Sequence, residues 1–192
     1  PNVAVTLAIL DRNHGLSVRE TPRYLPYLQR WSDLAGGKIY IWDYWATFGN
    51  FLLPAPNLDT LGPTMRDYAA EGVRGIFLQL PFGTLADCGE LRSWLFARLA
   101  WNPQLDADQL TDEFCRAYYG DAARQILEYI ALEETARKRD PGTFIGLYGE
   151  ETKHWLTPAD VRRMRELLDA ALTATAATPE THDRVRKLRA GL

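Results

Sequence analysis

A chain of 192 residues with 46% hydrophobic content can bury a substantial core, as one domain or two. Its net charge of -3, with acidic and basic residues interspersed, gives no electrostatic basis for nucleic-acid binding. Two isolated cysteines, Cys88 and Cys115, exclude a disulfide framework or a Cys-rich zinc site, and no apolar run approaches the ~20 residues that span a membrane.

The first predicted element is a strand at residues 3–10, nearly continuous in apolar side chains. Similar runs recur at 38–45 and 73–80, as expected of strands covered on both faces of a parallel sheet. Between them the pattern predicts helices at about 22–35 and 63–71, ended by Gly36-Gly37 and Gly72, which adopt a left-handed helix stop at little steric cost. Turns from helix to strand are therefore short, whereas the loops after the strands, 11–21, 46–62 and 81–88, are long. In parallel α/β folds that rim carries the ligand and catalytic groups.

Strand signals stop at Gly89. Leu91, Trp94, Leu95 and Leu99 share a helical face that closes at Trp101-Asn102-Pro103. Asp106 is placed to cap a helix reaching about Tyr118, and Asp121, after the break at Gly120, to cap another reaching about Arg137. Thr157-Pro158-Ala159-Asp160 opens a last amphipathic helix carrying Val161, Met164 and Leu168. Residues 1–103 thus read as an α/β unit of three βα repeats and 104–192 as a helical extension. Both ends look cut, the first within a few residues of a strand and the second inside a helical pattern.

Alternation along the second strand puts Ile39, Ile41 and Asp43 on one face and Tyr40, Trp42 and Tyr44 on the other. Branched aliphatics favour a barrel interior, which predicts Asp43 at the mouth, as a general acid or base or a ligand to sugar hydroxyls. The plainer alternative is a carboxylate satisfied by a neighbouring arginine or by backbone amides. Asp11, Arg12 and His14 follow the first strand at the equivalent rim, although Asp and Asn also initiate turns. Gln79 ends the third strand, where an amide can orient a ligand. Tyr44 and Trp45 open a loop rich in aromatics and proline, suited either to stacking on sugar rings or to covering the barrel top. A glycine-rich phosphate loop, a G-x-S-x-G elbow, a His-Glu-x-x-His pair and paired cysteines are all missing, so neither cofactor nor metal is expected.

Lys-Ile-Tyr-Ile-Trp-Asp-Tyr at 38–44, Pro-Ala-Pro-Asn at 54–57 and Glu-Gly-Val-Arg-Gly-Ile-Phe at 71–77 come in a specific order. Glu-Leu-Arg-Ser-Trp-Leu-Phe at 90–96 and Asp-Glu-Phe-Cys-Arg-Ala-Tyr-Tyr-Gly at 112–120 follow. Together, over residues 30–135, they resemble the bacterial domain of unknown function 4838 family, whose members often follow an α-glucuronidase-like or hexosaminidase-like domain. The resemblance implies a glycoside-hydrolase-type (β/α)8 barrel, of which this chain would hold the last three βα units and a helical extension. It further implies an oligosaccharide or glycan substrate and hydrolysis by a carboxylate pair; the residues fix no localisation, and a periplasmic or secreted parent protein is compatible with the resemblance. Some relatives resemble endo-β-N-acetylglucosaminidases. Asp43 matches the family's Trp-Asp-Tyr motif and would line the site. The alternative is a non-catalytic carbohydrate-binding or scaffold barrel. Since eight strands close a barrel, a three-strand piece would expose two edges and self-associate or need the N-terminal remainder of its protein.

Overall fold

Three short strands, β1 (Val5–Ala8), β2 (Ile39–Tyr44) and β3 (Gly75–Gln79), form a parallel sheet in the order β1-β2-β3. This is a computed structural model that describes residues 3–81, 83, 85–148 and 154–192. Residues 82 and 84 of the predicted third loop, and residues 1–2 ahead of β1, lie outside the described residues. Val5 pairs with Ile39 and Ile41 with Ile76, which leaves β1 and β3 as edges. Each strand is shorter than its apolar run, because the flanking residues turn into loops once the ladder ends.

The helices α1 (Tyr24–Leu34), α2 (Leu58–Ala70) and α3 (Gly89–Trp101) follow the three strands. Leu28 of α1, Leu61, Met65 and Tyr68 of α2, and Leu91, Leu95 and Leu99 of α3 join Ile39 and Ile41 in one core. Gly36, Gly37 and Gly72 take φ of 58°, 72° and 73°, so the predicted helix stops are real left-handed turns. The start of α2 differs from expectation: it begins at Leu58, and Pro63 sits inside the helix rather than at its first position. Burial of Leu58 and Leu61, with Thr60 bonded through its amide and hydroxyl to the Asn57 carbonyl, draws the earlier turn into the helix. Packing here overrides the local proline signal.

The remaining described residues are helical or irregular. α4 (Ala107–Tyr119) is capped by Asp106, whose carboxylate accepts from the Asp108 and Gln109 amides. Asp121 makes no cap. It lies in a 3-10 turn, Gly120–Ala122, that leads into α5 (Ala123–Lys138). α6 (Pro158–Ala174) opens on a complete capping box between Thr157 and Asp160, and α7 (Pro179–Arg189) follows. Arg139 also binds Asp160 through two nitrogens, and the Asp160 carboxyl is held down at about 2. The core runs without a break from Ile9 to Leu188, and Arg137 of α5 pairs with Asp59 at 2.6 Å. The helical segment is thus packed directly on the α/β unit. No helix among the described residues is long and apolar enough to cross a membrane.

Candidate functional site

Among the described residues, the helices pack on one side of the sheet. Ile39, Ile41 and Asp43 face those helices, and the Asp43 carboxylate accepts from the Tyr68 hydroxyl of α2 at 2.8 Å. This reverses the expected orientation, which put the aliphatic side of β2 and Asp43 at an open mouth. Full dehydration suits Ile39 and Ile41, so they take the helix side. Tyr40, Trp42 and Tyr44 carry polar edges and take the other.

Asp43 is fully buried and fully engaged. Besides Tyr68 it accepts from the Tyr44 amide at 2.8 Å and the Trp45 indole at 3.2 Å, and it pairs with the Arg12 guanidinium at 3.5 Å. Burial pushes its carboxyl up, but Arg12 and these hydrogen bonds outweigh it and hold the group below the ordinary aspartate value. Arg12 also donates to the Leu16 carbonyl at 2.7 Å, fixing the loop after β1. His14 lies beside this pair with both ring nitrogens unpartnered among the described residues. Burial first, then the Arg12 charge, push it down to about 3, so at neutral pH the ring is uncharged.

A second buried network fixes the loop after β2. Arg92 of α3 donates to the Asp87 carbonyl at 3.0 Å, the Asp87 carboxylate at 3.1 Å and the Ala55 carbonyl at 2.6 Å, and also to the Asn57 side chain. Asp87 accepts in addition from the Ala55 amide and the Tyr129 hydroxyl. The Pro-Ala-Pro-Asn and Glu-Leu-Arg motifs, far apart in sequence, are therefore one clamp in space. Glu133 is buried beside it, and burial, then the Asp87 charge, keep its carboxyl well above the ordinary range. Cys88 and Cys115 are both buried free thiols.

On the open side the strand residues are Thr6 and Ala8, Tyr40, Trp42 and Tyr44, and Gly75, Phe77 and Gln79. Trp42 lies edge-on to Phe77 with centroids 5.0 Å apart, and stacks with Tyr44 at 6.2 Å. Tyr44 meets Phe48 at 5.7 Å, and Phe48 meets both Phe51 and Tyr148. The row thus runs from the sheet into the aromatic loop. Tyr40, Trp42 and Phe77 remain 41%, 39% and 56% exposed, a large apolar area for a folded surface. The Trp42 indole N–H donates to the Gln79 side-chain oxygen at 2.9 Å, which orients both groups. Gly75 carries no Cβ beside Tyr40; one placed there would lie 3.0 Å from the ring.

The seven sequence-derived candidates therefore separate. Arg12, His14, Asp43 and Trp45 gather in the buried hub, so Trp45 offers no face to a ligand. Gln79 stands on the open side; Tyr44 points to the same side but is buried, 5% exposed, against Trp42 and Phe48. Asp11 stands apart, exposed, 3.8 Å from Arg23. Tyr40, Trp42 and Phe77 were missed as site residues, although strict alternation with an aromatic at every second position of β2 was the available signal. Asp87 and Arg92 were missed too, and only the company of their motifs hinted at them. Among the described residues, no three His, Cys, Asp or Glu side chains are grouped to hold a metal ion.

Comparisons with the curated proteins and with the solved structures return no match. A family model does match, over residues 1–131, and it carries the motifs of the sheet, the aromatic loop, the Arg92 clamp and α4. With more than half its length matched, the chain belongs to the family described as Domain of unknown function (DUF4838).

Proposed function

We propose that this chain supplies a saccharide-binding wall of a carbohydrate-active protein, with the open face of β2 and β3 as the contact surface. The observation that carries the reading is the aromatic row Phe77–Trp42–Tyr44–Phe48 with the Gln79 amide at its edge. Sugar rings present C–H patches between hydroxyls, and an oriented amide beside flat apolar rings complements both. The wider architecture in this reading is a glycoside-hydrolase-type (β/α) barrel, residues 1–103 forming three βα units and 104–192 the helical extension. Two edge strands and a bare inner face support it, because parallel sheets are normally covered on both sides.

Binding is favoured over catalysis for this wall. Glycoside hydrolysis needs two carboxyl groups flanking the bond, about 5 Å apart for retention or about 6.5–9.5 Å for inversion. The strand residues of the open face include no acid, and Asp43 is committed to the hub. If the barrel hydrolyses its ligand, the acid pair comes from other strands. Asp43 and Arg12 enter as positioning residues that fix the end of β2 and the loop after β1.

The test is retention on immobilised oligosaccharides by the wild-type chain and by Trp42→Ala. The expected result is at least about a tenfold loss of affinity, as for an aromatic anchor, with thermal stability little changed. Equal retention by the two proteins removes the open face as the site.

A further inference from the structure

The Arg92 clamp holds two buried acids against one buried cation. Asp87 and Glu133 are 4% and 1% exposed, and Arg92, fully buried, pairs with Asp87 at 3.1 Å. Glu133 lies one turn beyond Tyr129 on α5, so both side chains reach the clamp from the same helix face. The charges that act on Glu133 are Asp87, then Arg92, then the neighbouring Glu134. The other groups packed here are neutral or engaged. Burial pushes the Cys88 thiol well up and the Cys115 thiol of α4 up to about 12, and α6 adds the apolar Met164, Leu167 and Leu168 to the core. Arg137, one turn along α5, is bound to Asp59 and the Gly15 carbonyl.

The protons of the cluster can be counted. Arg92 donates to the Asp87 carbonyl and carboxylate, the Ala55 carbonyl and the Asn57 side chain. Tyr129 gives its one hydroxyl proton to Asp87 at 2.9 Å. Tyr129 also meets the Glu133 carboxyl, and with its own proton spent it can only accept there. The donor is then Glu133 itself, as a neutral acid. An ionised Glu133 would stand in a dry site with its Oε1 unpartnered among the described residues, and the cation drawn to it would be Arg92.

Proton loss therefore has a structural outlet. Arg92 ties Ala55 and Asn57 to α3 through neutral oxygens, which hold a guanidinium less strongly than a carboxylate does. We propose that the clamp is a proton-dependent latch: a neutral Glu133 leaves Arg92 on Ala55 and Asn57, and its ionisation under alkaline conditions draws Arg92 off and frees the loop after β2. That loop carries Phe48 and Phe51, and the latch stands or falls independently of the saccharide reading.

The unfolded chain gives up this proton near the ordinary value of 4.5, whereas the folded chain keeps it, so stability is lost as pH rises above 4.5. Glu133→Gln keeps the shape and a donor to Tyr129 but has no proton to lose. In urea unfolding, the folding constant of the wild type should fall relative to that of Glu133→Gln by about tenfold per pH unit above about pH 5, until the folded chain titrates as well. Between about pH 6 and about pH 10, chymotrypsin cleavage after Phe48 or Phe51 should grow to at least about tenfold faster in the wild type than in the variant, with the helices resistant in both.

A Glu133→Gln protein that does not fold, is less stable than the wild type near neutral pH, or differs from it by an amount independent of pH shows a carboxylate bound as an ion and overturns the proposal. A stability gap that grows with pH while the loop is cut equally leaves a stored proton without a latch, and overturns it too.

Discussion

On the helix side of β2 every polar atom of Asp43 has found a partner, whereas on the opposite side Tyr40, Trp42 and Phe77 leave apolar area bare. The two surfaces are one side chain apart in sequence. The closed one is dehydrated, with its aliphatics packed and the Asp43 charge paired, although the His14 ring nitrogens and Arg12 Nε find no partner among the described residues. The open one keeps rings exposed in this chain, an apolar area of the size that marks a contact surface for a ligand or for the rest of a barrel. This contrast separates residues that hold the site up from residues that meet a ligand. It also predicts that substitutions on the two sides fail in different assays.

The largest effect is expected in the hub. Asp43→Asn keeps the shape but removes the charge opposite Arg12, leaving a buried guanidinium without a counter-charge and the Tyr68 and Trp45 donors poorly served. A loss of about 3–5 kcal/mol in urea unfolding is expected. A double replacement, Arg12→Met with Asp43→Leu, should cost less than Asp43→Asn alone, since it leaves no charge behind. An Asp43→Asn protein of wild-type stability would show that the contrast between the two faces is false.

Next comes acid sensitivity. The His14 ring, ordinarily titrating near 6.5, is pushed down to about 3. Above 6.5 both folded and unfolded chains hold it neutral, and it makes no difference to stability. As pH falls from 6.5 toward 3 only the unfolded chain takes up the proton, so stability is lost across that window, on the order of 4 kcal/mol. Asp43 acts in the same sense but lower, because its depressed carboxyl loses its contribution only below the ordinary aspartate range. His14→Leu should flatten the loss between pH 6.5 and 3 in unfolding measurements. Saccharide binding near neutral pH should not change.

What could be read from the residues was local. Apolar runs marked the three strands, Gly36, Gly37 and Gly72 marked the stops, and Asp106 and the Thr157–Asp160 pair marked two helix starts, each signal lying within a few residues of its effect. Alternation also stated correctly which residues of β2 share a face. It could not state which face meets the helices, because that depends on where residues 24–34 and 58–70 come to rest. The partners that close the hub around Asp43 lie 25 and 31 residues away, at Tyr68 and Arg12, and no spacing rule connects them. The clamp of Arg92 on Ala55 and Asn57 is hidden for the same reason: it joins a loop to a helix across an intervening strand. Asp43 is a positioning residue rather than a mouth residue because its surroundings come from other elements.

The smallest expected effect on stability sharpens the contrast most, at Gly75. A Cβ there would stand 3.0 Å from the Tyr40 ring, which on a packed face would be costly. Tyr40 is 41% exposed and free to swing toward solvent. Glycine inside a strand also carries an entropic cost that alanine relieves, and no positive φ requires glycine at this position. Gly75→Ala should therefore leave stability within about 0.5 kcal/mol of the wild type. The displaced ring would crowd the neighbouring rings on β2 and β3, so saccharide affinity should fall severalfold while urea unfolding hardly moves. A strongly destabilised Gly75→Ala protein would instead mean that the open face is packed as tightly as the closed one, and that its exposed rings are structural.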